Sequence, residues 1–200
     1  MVARFLVTVL RPFFWLLFPY RVRGREHARA SKSAGGFVLC ANHLSNLDPV
    51  YLMLSHPRLI HFMAKAEIFR PFIGRMVVGG IFQAFPVNRG SGERGPVELS
   101  QQLVKAGKVV GIFPEGHRSK DGQMQRAKSG AALIVAQTGA DILPVYISAK
   151  GGRPGFWRMT TLTYGAPISP AELRLDDPGA PDIRFAAREL MTRIAALAEE

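Results

Sequence analysis

Short apolar runs alternate with helical segments from residue 37 to the C-terminus, and this alternation constrains the fold more than any other feature of the sequence. The predicted strands are 37–41, 60–64, 80–87, 109–113, 142–147 and 159–164. The predicted helices are 48–54, 96–105, 127–138 and 183–197, with Gly107 and Gly139 positioned to end two of them. Such alternation predicts an α/β domain with a central, mostly parallel or mixed sheet flanked by helices.

The length of the chain allows one domain of ordinary size. With 200 residues, of which 48% are hydrophobic, the chain can bury a substantial core, which excludes a disordered or fibrous protein. The single cysteine, Cys40, excludes an intrachain disulfide and a cysteine-based metal site, and the five scattered histidines do not predict a metal site. We therefore expect one domain over 22–200, preceded by an N-terminal segment over 1–21.

The N-terminal segment is basic and aromatic, and it belongs to a chain whose formal net charge is +11. Arg11, Pro12 and Pro19 interrupt its apolar run, whereas a membrane-spanning helix needs about 20 apolar residues. The composition predicts an amphipathic helical segment at an anionic membrane surface. The alternative is a helix packed on the core of the domain, with its arginines in solvent. No nucleic-acid-binding motif is recognisable, so nucleic acid is not the expected anionic partner.

The first candidate site residues follow the predicted strand 37–41 directly. Asn42 and His43 come at its end, and Asp48 and Pro49 open the next helix. On one helix, His43 and Asp48 would point about 140° apart, but a loop that turns into a helix at Asp48 could pair them. A carboxylate on one imidazole nitrogen leaves the other free to take a proton from a hydroxyl. The alternative is that Asp48 only caps the helix.

A second group of polar residues follows other strand ends. The turn Phe113-Pro114-Glu115-Gly116-His117-Arg118 offers a carboxylate for substrate hydroxyls, a guanidinium for a phosphate and backbone N–H groups for an oxyanion. Lys65 and Arg89 would add cations at the same edge of an open α/β sheet, where ligands bind. Because no serine lies in a nucleophile elbow and Cys40 is inside a strand, a substrate hydroxyl is the expected nucleophile.

Residues 90–95 form a literal Gly-x-Gly-x-x-Gly, the pattern of a dinucleotide-binding turn. The pattern needs an apolar strand residue before its first glycine, but Arg89 occupies that position and Pro96 follows the last glycine. We interpret this stretch as a glycine-rich loop and expect no cofactor.

Five blocks in this order resemble the glycerolipid acyltransferases, most closely the 1-acylglycerol-3-phosphate type. They are Asn42-His43-x4-Asp48, Lys65 to Phe69, Gly80 to Arg89, Phe113 to Ser119 and Ile142 to Tyr146. The resemblance implies transfer of a fatty acyl group from acyl-CoA or acyl carrier protein to a lysophospholipid, at the cytoplasmic face of the membrane. No acyl-enzyme and no resident cofactor are implied.

The resemblance also implies roles for individual residues. The family's base and its orienting carboxylate correspond to His43 and Asp48. Its acceptor-binding residues correspond to Arg89, Glu115, Gly116 and Arg118, and its phosphate-facing lysine corresponds to Lys65. Two departures from the family pattern, Asn88 and His117, flank acceptor-binding positions. The alternatives are therefore transfer to a different lysolipid, or a non-catalytic module that binds anionic lipid.

Overall fold

The computed structural model describes residues 9, 12–31, 35–65, 85–87, 95–119, 121–177 and 179–199. Within these residues the strands are β1 (Tyr20–Arg23), β2 (Phe37–Ala41), β3 (Ile60–Lys65), β4 (Phe85–Val87), β5 (Val109–Ile112), β6 (Ile142–Ala149) and β7 (Thr160–Tyr164). The helices are α1 (residues 12–17), α2 (Arg25–Ala30), α3 (Asp48–Ser55), α4 (Gly95–Lys105), α5 (Gly130–Thr138) and α6 (Ile183–Ala196), with a short 3₁₀ turn at Ala171–Leu173.

The strands form one sheet in the order β1-β7-β6-β2-β5-β3-β4. β2 lies at its centre and pairs in parallel with both β5 and β6. β3 pairs in parallel with β5 and β4, and β1 with β7, whereas β6 and β7 are antiparallel. The predicted mixed, mostly parallel sheet is therefore confirmed.

Helices cover both faces of the sheet, and β2 contributes side chains to both. Leu39 and Ala41 pack in one core with Tyr51 and Leu52 of α3, and Phe14 and Phe18 from the N-terminal region lie against the same core. Val38 and Cys40 pack in the opposite core, which includes buried residues of α4, α5 and α6. A strand buried on both faces is uniformly apolar, and this is why 37–41 is so clear in the sequence.

Two elements that sequence patterning did not predict lie near the N-terminus. β1 is an edge strand in which Arg21 and Arg23 are exposed, and α2 buries only Ala28, so neither carries a strong apolar pattern. β1 also means that residues 20 and 21, which we assigned to the N-terminal segment, belong to the sheet. Residues 80–84 of the fourth predicted strand lie outside the described residues, and 85–87 form β4.

The predicted helix over 127–138 begins later, at Gly130. The backbone just before Gly130 makes hydrogen bonds outside the helix: Gln125 N–H donates to the Glu115 carboxylate, and Lys128 N–H donates to the Pro114 carbonyl. The C-terminal helix starts as predicted, with the Asp182 side chain accepting a hydrogen bond from Phe185 N–H at 2.9 Å.

The N-terminal segment packs only partly on the domain. Phe14 packs against the core, while Phe13, Trp15 and Leu16 remain more than half exposed. Among the described helices, none combines the length and the apolar character that crossing a membrane requires.

Candidate active site

The polar residues singled out in the sequence follow the carboxyl ends of neighbouring parallel strands. β2 ends at Ala41 and β5 at Ile112, and the two strands are paired, so the turns that follow them meet at one edge of the sheet. β3 and β4 end beside them, at Lys65 and Val87. This is the edge at which open α/β sheets bind their ligands.

Asn42 fixes the first turn to the neighbouring strand. Its side-chain amide donates to the Ile147 carbonyl at 2.9 Å, and its side-chain oxygen accepts from Ile147 N–H at 2.7 Å. The side chain thus continues the pairing of β2 with β6 for one more step, although the chain has begun to turn. Asn42 is buried, and its four-atom side chain sets the point at which the chain leaves the sheet.

His43 and Asp48 form a direct contact across the loop. Nδ1 of His43 lies 2.8 Å from Oδ2 of Asp48, and the same oxygen accepts Leu44 N–H at 2.6 Å and Ser45 N–H at 2.7 Å. Asp48 is the first residue of α3, and its carboxylate bonds to residues that precede the helix rather than capping the helix. Three donors converge on a fully buried carboxylate oxygen, so the carboxylate orients the imidazole and favours a proton on Nδ1.

The imidazole of His43 is also held by an aromatic ring. Phe113, the first residue after β5, stacks on it with ring centroids 4.0 Å apart and planes 16° apart. Phe62 of β3 stacks in turn on Phe113, at 5.8 Å. With one ring face covered and Nδ1 engaged, Nε2 is the nitrogen left to act, and no described group hydrogen-bonds to it. The sequence marked Phe113 only as the end of a strand and gave no signal for the stacking.

Glu115 holds the backbone of this loop by a hydrogen bond to His43, which lies 72 residues earlier in the chain. Its Oε1 accepts His43 N–H at 2.9 Å and its Oε2 accepts Gln125 N–H at 2.9 Å. The carbonyl of His43 accepts Ser119 N–H at 2.8 Å, so both backbone groups of His43 bond to the 113–119 turn. Glu115 is 1% exposed, and each carboxylate oxygen already accepts a hydrogen bond from the protein.

Gly116 permits the sharp turn after Glu115. Its φ is +74°, a region that residues with a Cβ rarely adopt, and its N–H donates to the Phe113 carbonyl. That bond closes the turn, so the N–H that we expected to face an oxyanion is engaged within the turn in this structure. A Cβ at Gly116 would lie 2.7 Å from Cε and 2.8 Å from Nζ of Lys128, whose side chain therefore crosses directly over the turn. Lys128 forms no ion pair within the described residues, and sequence analysis did not single it out.

Two of the remaining predicted site residues, Arg118 and Lys65, lie among the described residues. Arg118 is exposed at the end of the turn. Lys65 pairs with Val87, and extending the strand register places it level with Asn42, two strands and about 10 Å across the sheet. Arg89, Asn88 and the glycine-rich stretch up to residue 94 lie outside the described residues.

Among the described residues, no hydroxyl or thiol hydrogen-bonds to the imidazole of His43. Ser45 Oγ accepts Leu47 N–H, and Ser119 Oγ donates to Asp121. Cys40 is fully buried, and burial raises the pKa of its thiol, which keeps it neutral. Among the same residues there is no cluster of three or more His, Cys, Asp or Glu side chains that could hold a metal ion.

Comparison with known proteins gives a consistent result. A family model described as Acyltransferase matches residues 19–148. The chloroplastic 1-acyl-sn-glycerol-3-phosphate acyltransferase LPAT1 of Arabidopsis thaliana is 33% identical over 143 residues, which are 68% of this chain and 38% of that protein. The 1-acyl-sn-glycerol-3-phosphate acyltransferase of Bacillus subtilis (strain 168) is 30% identical over 175 residues, which are 84% of this chain and 83% of that protein.

Among solved structures, the crystal structure of the 1-acyl-sn-glycerophosphate acyltransferase PlsC from Thermotoga maritima has the same fold. Its TM-score with this chain is 0.70 at 21% identity, with 99% of this chain and 82% of that chain covered. The match to the plant proteins is shorter: the chain spans less than two fifths of the length of LPAT1 and of the Brassica napus relative BAT2.

Proposed function

Because the chain belongs to the acyltransferase family, we propose that it transfers a fatty acyl group from an acyl thioester to the free hydroxyl of a lysophospholipid. The proposed acceptor is 1-acyl-sn-glycerol 3-phosphate, the substrate named for the plant, bacterial and human relatives, and the product is then phosphatidate. The proposed donor is acyl-CoA or acyl carrier protein, and the proposed location is the cytoplasmic face of the membrane.

The contact between His43 Nδ1 and Asp48 Oδ2 is the observation that carries the mechanism. With Nδ1 bonded to the carboxylate, Nε2 takes the proton from the acceptor hydroxyl as that oxygen attacks the thioester carbonyl. The new ester C–O bond forms, the C–S bond breaks, and the imidazolium returns the proton to the departing thiolate. Asp48 stabilises the imidazolium during this cycle. The absence of a described nucleophile beside His43 favours direct transfer over an acyl-enzyme.

Cations around the same edge support an acceptor that carries a phosphate. Arg118 is exposed near the end of the turn, and Lys128 places its ammonium group over Gly116. We assign phosphate binding to these two side chains together with Lys65 and Arg89, because guanidinium and ammonium groups are the usual phosphate partners. Holding the acceptor in this way orients its hydroxyl toward His43 and converts a bimolecular encounter into an ordered one.

The test is a labelled acyl transfer assay in detergent micelles with both thioester donors and a panel of lysolipids. We expect wild-type protein to label phosphatidate and His43→Ala to lose about 10²-fold or more of the rate, which is the typical contribution of a general base. The matched control is His27→Ala. His27 lies on α2, and its one ion pair among the described residues is with Glu26, so this variant should leave the rate unchanged.

Three outcomes would change the proposal. A His43→Ala variant with wild-type turnover would refute the base. Label in a different lysolipid would keep the mechanism and assign the altered acceptor to the positions of Asn88 and His117. Folded wild-type protein that binds lipid vesicles but transfers no acyl group would support the non-catalytic module instead.

A further inference from the structure

Exposed apolar side chains from two distant parts of the chain form one surface patch. We define the aromatic patch as Phe13, Trp15 and Leu16 of α1 together with Phe156, Trp157 and Met159 of the loop over residues 150–159. Trp157 is 72% exposed, and Phe13 and Leu16 are each 67% exposed. The other large exposed hydrophobic residues among those described are Leu17 at the end of α1, Val9 before it, and Leu99 on α4.

Specific contacts join the two halves of the patch. The backbone N–H of Trp157 donates to the Leu17 carbonyl at 2.8 Å. The Phe156 ring meets Phe18 edge-on, with centroids 5.3 Å apart, and lies 4.6 Å from the Trp157 ring. The loop and the N-terminal helix therefore present their apolar groups as one surface.

Trp157 adopts an unfavourable backbone conformation to reach this position. Its φ is +54°, and besides glycines only Arg174 shares a positive φ among the described residues. A large side chain in this region costs conformational energy. This conformation places the indole in solvent, where the side chain adds little to the stability of the folded chain.

The charge around the patch fits an anionic surface. Residues 142–171 contain Lys150, Arg153 and Arg158 and no acidic residue. The Arg158 side chain lies beside Gly151 and Gly155 within the loop. On the N-terminal side, residues 9–25 contain four arginines and no acidic residue. Aromatic groups surrounded by cations match the headgroup layer of a bilayer that contains anionic lipid.

The patch is connected to the candidate active site by two routes. Phe18 stacks on Phe14 at 4.8 Å, and Phe14 meets Tyr51 of α3 at 5.4 Å, one helical turn from Asp48. Arg153 donates to the Ser119 carbonyl at 3.2 Å, and Ser119 N–H donates to the His43 carbonyl. A bilayer against the patch would therefore lie near the turns that hold His43.

We propose that the loop over residues 150–159 is a second membrane-contacting element, which docks together with α1 on an anionic bilayer and places Trp157 in the headgroup layer. The proposal rests on the proposed function only for the lipid nature of the substrates. Vesicle binding and turnover in micelles are separate measurements, so failure of one leaves the other interpretable.

The first experiment uses Trp157 as its own probe. Trp15→Phe leaves Trp157 as the single tryptophan of the chain and keeps an aromatic ring at position 15. On adding vesicles of equimolar phosphatidylglycerol and phosphatidylcholine, we expect its emission to shift to shorter wavelength and brominated lipid to quench it. Unchanged emission from protein that sediments with the vesicles would overturn the proposal, because docking would then use another surface.

The second experiment removes the side chain without disturbing the backbone. Trp157→Gly suits a positive φ, so we expect an unchanged or higher thermal midpoint, unchanged transfer in micelles and about tenfold weaker vesicle binding, equivalent to about 1.4 kcal/mol. The matched control, Leu99→Ala, removes an exposed apolar side chain from α4 and should bind as wild type. Binding should weaken as salt rises and on pure phosphatidylcholine.

Two results would refute the docking surface. Equal losses of vesicle binding in Trp157→Gly and Leu99→Ala would indicate general surface hydrophobicity instead of a defined site. Concentration-dependent self-association that Trp157→Gly abolishes, without any loss of vesicle binding, would assign the patch to a second copy of the chain.

Discussion

The carboxylate of Glu115 gives the sharpest test of how the candidate site is built. The sequence assigns this residue to acceptor binding, whereas in the structure it is buried and bonds to His43 N–H and Gln125 N–H. If its main task is to position the His43 loop, Glu115→Gln should lower stability and turnover but leave acceptor affinity nearly unchanged.

The size of the effect follows from the two hydrogen bonds, each 2.9 Å long. A hydrogen bond to a charged group contributes about 1.5–3 kcal/mol, and a buried donor left without an acceptor costs about 1–3 kcal/mol. A glutamine side chain has one oxygen, so one backbone N–H would face the amide NH₂ group. We expect a loss of about 2–3 kcal/mol, which in a chain of this length lowers the thermal midpoint by roughly 4–12 °C.

The assay combines thermal unfolding with steady-state kinetics at saturating donor. Displacement of the His43 loop should lower kcat by about tenfold or more, since misplacement of a catalytic group by about 1 Å costs on the order of 10²-fold. The acceptor KM should change by less than about threefold, because both carboxylate oxygens are already engaged within the protein. The control is Glu98→Gln, an exposed glutamate in the first turn of α4, which should change neither quantity.

The opposite pattern would refute this reasoning. An unchanged thermal midpoint with a tenfold higher acceptor KM and a normal kcat would mean that Glu115 binds substrate directly. A fall in stability without any change in kcat would mean that the hydrogen bond to His43 N–H does not position the imidazole.

Two further predictions concern a buried histidine and the glycine turn. Burial lowers the pKa of His56 from 6.5 to about 4, so between these values only the unfolded chain gains its proton as pH falls. Urea unfolding should therefore show the free energy of unfolding fall by about 2 kcal/mol from pH 7 to pH 5, and His56→Gln should abolish this fall. An equal fall in that variant would exclude His56 as its cause. Gly116→Ala should lower stability by about 1–2 kcal/mol and reduce transfer by displacing the Lys128 side chain. Gly139→Ala, at φ +64° with no atom within 4 Å of its Cβ position, should show the stability loss alone; equal activity of the two variants would exclude a role for the Lys128 contact.

The sequence predicts the fold well where a strand is buried on both faces of the sheet. β2, β5 and β6 are apolar on both faces, and α6 begins after the Asp182 cap, so pattern and capping agree with the structure there. Asp48 opens α3 as its first residue, but its side chain does not cap the helix. β1 was not predicted because an edge strand needs few apolar side chains. Its place is set by pairing with β7, about 140 residues away, and no local pattern encodes that contact.

The site separates in the same way into local and distant contacts. The pairing of His43 with Asp48 spans five residues, and a strand, a loop and a helix start are enough to predict it. The stacking of Phe113 on His43 and the bonds from Glu115 depend on β2 and β5 being neighbours in the sheet. Sequence order does not reveal this adjacency, since β3, α3 and α4 lie between them along the chain.

The distance between Glu115 and His43 along the chain explains why motif-level inference does not predict the contacts that Glu115 makes in this structure. A carboxylate beside Gly116 and Arg118 looks available to a ligand as long as the turn is considered alone. Once β2 and β5 are paired, His43 N–H lies 2.9 Å from Oε1, and its carbonyl lies 2.8 Å from Ser119 N–H. The 113–119 turn therefore supports the backbone that carries the imidazole, and we expect Arg118, Lys128 and the neighbouring strand ends to bind the acceptor.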